Sequence, residues 1–149
     1  MSYDYDLITL GAGSGGVAGS RRAALHGARV AIVEDGRVGG TCVLRGCVPK
    51  KLMMYAAQYG DALREAAAYG WAVEAPAAGF DMAHWAARKT AETSRLEGIY
   101  RHLLTGSGVT LLEGRGQIVA PHTVLVNGRQ VTAEHIVIAT GAAPVRDSI

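Results

Sequence analysis

The sequence predicts a single α/β domain: a parallel sheet with helices against it and a small antiparallel meander inserted before the last strand. Three observations predict it. The chain opens with an apolar stretch, a glycine-rich turn, a helix-forming segment and a second apolar stretch. Its middle carries apolar residues at helical spacing, and its final third is a series of short β-branched runs broken by turn residues. A length of 149 residues suits one domain with a proper core, whereas two full domains would be a tight fit.

Residues 7–10 read as a short buried strand, ended by Gly11-Ala12-Gly13-Ser14-Gly15-Gly16. Residues 17–26 have helical composition, and Gly27 stops the helix. Residues 29–33 form a second strand with Glu34 at its carboxyl end, completing a βαβ unit whose crossover should be right-handed. Residues 35–49 are rich in turns, because Gly36, Gly39, Gly40 and Gly46 break any regular element. Pro49 suits the opening of a helix that runs to about Tyr69 and stops at Gly70. Asp81 is the expected N-cap of a longer helix reaching Thr105, with Leu96, Ile99, Tyr100 and Leu103 as its apolar stripe. Strands are expected at 109–113, 117–120, 123–126, 130–132 and 135–139, and Asn127-Gly128 is a hairpin signal.

Composition narrows the function. A hydrophobic fraction of 49% with 19% charged residues belongs to a folded globular protein rather than a disordered one. A net charge of +2, with Lys and Arg scattered, leaves no footprint for nucleic acid. The apolar stretches are too short for a membrane span, and the N-terminus has neither a basic region nor a signal-peptide core, so a cytoplasmic location is expected. Only two cysteines, Cys42 and Cys47, are present, which argues against a disulfide-stapled scaffold and for local chemistry.

Gly11, Gly13 and Gly16 stand where a strand gives way to a helix, the context in which a G-x-G-x-x-G pattern binds a dinucleotide. The first permits the tight turn, the second lets the backbone approach a pyrophosphate, and the third lets helix pack on strand. Glu34 follows at about the distance expected of a carboxylate that accepts from ribose hydroxyls. A tight turn without a ligand is the competing reading.

Around the cysteines the chain reads Gly39-Gly40-Thr41-Cys42-Val43-Leu44-Arg45-Gly46-Cys47-Val48-Pro49-Lys50-Lys51. On a regular helix, residues five apart point about 140° away from each other, so a bond between the two sulfurs needs a non-helical break, which Gly46 allows. Cys47 is expected near the positive end of the following helix, with Lys50 and Lys51 adding to the field, as the more acidic thiol of an accessible, low-potential pair. Half a zinc site and a pair of inert cysteines compete with this reading. Zinc would require two further ligands, and none of the five histidines lies at ligand spacing from the pair, so no metal is expected.

The glycine turn, the acidic strand end and Gly-Gly-Thr-Cys-x4-Gly-Cys-Val-Pro-Lys-Lys together resemble the flavoprotein disulfide reductases, and Ile136-Val137-Ile138-Ala139-Thr140-Gly141 looks like the family's strand and Thr-Gly turn returning to the flavin. The resemblance implies a Rossmann-like FAD-binding domain over residues 1–149, with FAD as cofactor and Cys42–Cys47 as its redox-active disulfide. It also implies FAD contacts from Gly11, Gly13, Ser14, Gly15, Gly16, Glu34, Gly40, Thr41, Cys42, Lys50, Gly116, Thr140 and Gly141, with Lys50 assisting electrostatically. The glutathione-reducing branch is most similar, implying oxidised glutathione as substrate, met by Ser14, Arg21 and Tyr100. An arginine at position 21 suits a glutathione carboxylate better than a cationic polyamine conjugate, which disfavours the trypanothione-reducing branch. Dihydrolipoyl and mercuric reductases fit less well. Arg21 also reads as a solvated helix charge, and Tyr100 as part of the apolar stripe.

Members of this family continue with an NADPH-binding fold and a dimerisation domain that supplies a His–Glu pair. His26, His84, His102, His122 and His135 match no part of that pair. The expectation is therefore a homodimeric, NADPH-dependent enzyme as a longer protein, with residues 1–149 inactive alone. A flavin-binding module without turnover, and an NAD-dependent dehydrogenase that leaves the cysteine motif unexplained, are the readings from other classes.

Overall fold

A computed structural model describes residues 3–72 and 79–145. Strand β1 (Tyr5–Leu10), helix α1 (Ser14–Leu25) and strand β2 (Val30–Glu34) form the expected βαβ unit. The short helix α2 (Gly40–Leu44) and the long helix α3 (Cys47–Glu65) follow, the latter closing in a 3₁₀ turn at Ala66–Tyr69. Helix α4 (Met82–Gly106) then leads to β3 (Thr110–Glu113), β4 (Gly116–Ala120), β5 (Thr123–Val126) and β6 (Arg129–Ile138).

The strands lie in the order β3-β2-β1-β6-β5-β4. β3, β2, β1 and the second half of β6 are parallel, whereas β4, β5 and the first half of β6 form the antiparallel meander. Period-two alternation sorts β2 between two layers. Val30 and Ile32 pack with Val17 of α1, Leu104 of α4 and Val109, while Ala31 and Val33 pack with Val124, Val126, Val131 and Ala133 of the meander. The parallel strands are thus covered on one face by helices and on the other by the meander. Ile8 and Ile32 are wholly buried, each side chain contributing about 1.5–3 kcal/mol of hydrophobic stabilisation. The Asn127-Gly128 turn has positive φ at both positions, 48° and 79°, as a tight hairpin between right-twisted strands requires.

Three expectations need correction. The 35–49 stretch is not wholly irregular, since α2 forms inside it. Helix α3 starts at Cys47, ahead of Pro49, because N–H groups of the first turn have no intrahelical partner and a proline there removes nothing. The strands expected at 130–132 and 135–139 are one strand. Ala133 is fully buried and its N–H donates to the His122 carbonyl at 2.9 Å, so the backbone stays extended across the join.

Candidate functional site

The chain leaves β1 toward β2 on one side and returns to β1 through β6 on the other, so β1 is the point where the strand order reverses. Ligands bind α/β sheets in the crevice beyond the carboxyl ends of the strands at such a point. A cleft of about 980 Å³ opens there, and its lining includes Gly11, Gly13, Ser14, Gly15, Glu34, Gly40, Thr41, Cys42, Cys47, Thr140 and Gly141. Sequence-predicted site residues as far apart as Gly11 and Gly141 are therefore brought together, since Cys42, Glu34 and the glycine turn share one cavity with the 139–142 stretch.

At Gly11 and Gly40 the backbone of this cleft is packed more tightly than any side chain allows. Gly11 has φ of +102°, and a Cβ there would lie 2.3 Å from the Ala139 carbonyl oxygen. Gly40 has φ of +62°, and its Cβ would come within 2.6 Å of Gly13 Cα. The glycine turn, the start of α2 and the end of β6 therefore meet backbone to backbone. Gly16 does not line the cleft; it sits beneath the turn, where a Cβ would collide with the Gly11 carbonyl oxygen at 1.9 Å.

Helices α1, α2 and α3 all begin at the cleft, on Gly13, Gly39 and Gly46, and none has a side-chain cap. First-turn residues of the longer helices, α1 and α3, line the cavity, which sets their positive ends beside it, an arrangement that favours an anion. Glu34 lines the same cleft. Its Oε2 accepts from the Ala12 N–H at 2.7 Å and its Oε1 from the Gly36 N–H at 3.0 Å, so the carboxylate ties the glycine turn to the segment after β2. Gly116 lines a second hollow of about 450 Å³ that shares Gly11, Glu34, Asp35 and Thr140 with the main cleft.

Cys42 lies in α2 and is half-buried; Cys47 is the first residue of α3 and is exposed. Gly46 separates the two helices and packs close to the Thr41 carbonyl oxygen, 3.0 Å from where its Cβ would stand. Both sulfurs are thiols here. The hydrogen-bonding contact with the Cys47 side chain, together with burial, pushes the Cys42 thiol up from its ordinary value, and the Lys50 charge offsets this only in part. Two neighbouring thiols that line one cleft can interconvert with a disulfide by giving up two electrons and two protons. Lys50 itself lies in the first turn of α3, its N–H donating to the Gly46 carbonyl at 2.9 Å, and it is exposed outside the cleft lining.

Arg21 and Tyr100 are not among the cleft-lining residues. Arg21 donates through Nε to Ser107 Oγ at 3.1 Å, and Tyr100 packs against the core on the helical face of the sheet. Arg37 and Arg45 line the cleft although sequence reasoning does not single them out. Their only local signal is a place among the glycines of the 36–46 stretch.

The cavity suits an elongated dinucleotide. Its volume stands near the upper end of the range for small-molecule sites, and its lining combines glycine backbone, the Glu34 carboxylate and two cysteines. The sequence model for pyridine nucleotide-disulphide oxidoreductases matches residues 5–149. The chain is 52% identical over 145 residues to a glutathione reductase of Burkholderia cepacia, covering 97% of this chain and 32% of the relative. It is 46% identical over 149 residues to a glutathione reductase of Nostoc sp., covering 100% and 32%. A chloroplastic/mitochondrial glutathione reductase of Pisum sativum is 45% identical over 152 residues, covering 95% and 27%. The chain thus spans about a third of the length of these curated relatives. With a family match that begins in β1 and takes in the whole cleft and both cysteines, the chain belongs to the pyridine nucleotide-disulphide oxidoreductase family.

Proposed function

We propose that residues 1–149 are the FAD-binding, dithiol-bearing domain of an NADPH-dependent glutathione-disulfide reductase. The observation that carries this reading is one cleft lined at once by the glycine turn, Glu34, Cys42 and Cys47. The names of three relatives at 45–52% identity support glutathione as the substrate class. In this reading Gly11, Gly13, Ser14, Gly15 and the start of α2 hold the pyrophosphate of FAD, Glu34 meets the ribose, and Thr140 and Gly141 close the floor. Gly16 supports the turn from below, and Gly116 borders the neighbouring hollow. When bound, the flavin supplies the two electrons that open the Cys42–Cys47 disulfide.

The chemistry of the chain's own residues then balances. The Cys42 sulfur, as thiolate, attacks one sulfur of oxidised glutathione, forming a mixed disulfide and releasing one glutathione thiolate. Cys47 attacks the Cys42 sulfur, releasing the second glutathione and restoring the disulfide. Lys50 contributes positive charge beside this pair, and its charge already acts on Cys42. Arg21 and Tyr100 form a substrate-recognising surface on the α1 and α4 side. NADPH binding and a homodimer belong to the longer protein, and a cytoplasmic location fits this chemistry. No helix among the described residues is long and apolar enough to cross a membrane.

Anaerobic titration of the oxidised, FAD-loaded chain with dithionite tests the proposal. Uptake of four electrons per FAD is expected, falling to two in Cys42→Ser. Two electrons in the unsubstituted chain would show that the sulfurs do not exchange electrons with the flavin.

A further inference from the structure

Glu97 lies on α4, outside the cleft lining, with its side chain 14% exposed. Its carboxylate joins groups from elements that wall the cleft. Oε2 accepts from Arg37 Nε at 2.6 Å, and Oε1 accepts from the Val38 backbone N–H at 3.3 Å. Arg101 approaches Oε1 with Nε and Nη2 at 3.5 Å, and its Nη1 also reaches Glu113 at the end of β3. Arg37 Nη2 donates to Ser94 Oγ at 3.1 Å, so α4 grips this arginine twice.

The gripped segment, residues 35–39, joins β2 to α2 and forms a rim of the cleft. Its inner side is already anchored, because Glu34 holds the Gly36 N–H and the Ala12 carbonyl accepts from the Gly39 N–H at 2.9 Å. Val38 between them is wholly buried. Burial works against ionisation of Glu97, but Arg37, the Val38 N–H and Arg101 outweigh it and hold the carboxyl below its ordinary range. The carboxylate is therefore charged wherever the protein is folded near neutral pH, and its loss would leave a buried N–H and two guanidinium groups without this partner.

We propose that Glu97 is a positioning residue for the dinucleotide cleft: it clamps the 35–39 rim from its outer side, keeping Glu34 and the start of α2 aligned with the glycine turn. This rests on the FAD reading given above. The clamp acts on the cofactor through Arg37 and Val38 and not by touching it.

The test compares Glu97→Ala, Glu97→Gln and, as a control on the far face of the sheet, Val131→Ala. FAD dissociation constants are measured by flavin fluorescence well below every variant's melting temperature, and amide exchange is followed in the cofactor-free chain. Glu97→Ala should weaken FAD about tenfold, the size of a lost hydrogen bond to a charged group, and should speed exchange at Val38 and Gly39. Glu97→Gln, which keeps an acceptor oxygen for the Val38 N–H, should lose less. Val131→Ala should lower the melting temperature but leave FAD affinity within about twofold. If Glu97→Ala binds FAD as tightly as the unsubstituted chain, the clamp is overturned and the cofactor reading stands. If the unsubstituted chain fails to bind FAD, the cofactor reading falls, and exchange at Val38 and Gly39 decides the clamp: faster in Glu97→Ala supports it, and unchanged overturns it.

Discussion

Helices α1 and α4 begin in opposite ways. At α4, Asp81 takes a non-helical conformation and its carboxylate accepts from the His84 N–H at 3.0 Å, satisfying a donor that the helix cannot. At α1 the same place is held by Gly13, which has no side chain to offer, and α3 repeats this with Gly46. The difference follows location: the capped α4 starts in solvent, whereas the uncapped α1, α2 and α3 start in the cleft. A helix that must meet an external anion leaves its first N–H groups unclaimed, at some cost to the stability of the free protein.

Three substitutions can break or sharpen that contrast. The largest effect is expected from Gly40→Ala, whose methyl would collide with Gly13 Cα in a backbone conformation with φ of +62°. Pushing the start of α2 off the glycine turn should weaken FAD binding about a hundredfold, which a fluorescence titration would read directly. Gly13→Asp should come next. The backbone there is extended, with φ of −79° and ψ of −174°, and a Cβ would meet only Gly40 Cα at 3.7 Å, so an internal cap can form. The cofactor-free chain should then keep or slightly raise its melting temperature while FAD affinity drops about tenfold, because a fixed carboxylate competes with the pyrophosphate. Loss of stability together with affinity would contradict the contrast. The smallest effect on the site is expected from Asp81→Ala, which should cost about 1 kcal/mol in denaturant unfolding and leave FAD affinity unchanged.

The cap at Asp81 was readable in the sequence because capping is a local event, and the same holds for the first βαβ unit, Glu34 and the Asn127-Gly128 hairpin. Local pattern did not reveal α2. Its five residues begin with a glycine and are held by the approach of Gly40 to Gly13, a contact between segments with no shared periodicity. Pattern also split β6, because a strand that borders two differently built neighbours shows no single alternation. Glu97 left no trace in the spacing, since its partners Val38 and Arg37 lie 59 and 60 residues away. Arg21 is similar: its bond to Ser107 spans 86 residues. The cleft was legible where one short segment builds it, and illegible where distant segments must meet.

Strand β6 runs beside β1, and the pairing of Leu7 with His135 and Leu10 with Ile138 delivers the 139–142 stretch to the cavity. Synthesis on the ribosome makes that stretch more than a hundred residues after the glycine turn, a separation matched by the 128 positions between hydrogen-bonded Asp4 and Thr132. The emerging chain therefore carries the glycine turn for more than a hundred residues of translation without the strand that completes it. Such late closure makes for slow folding and leaves one edge of β1 open to mispairing in the meantime.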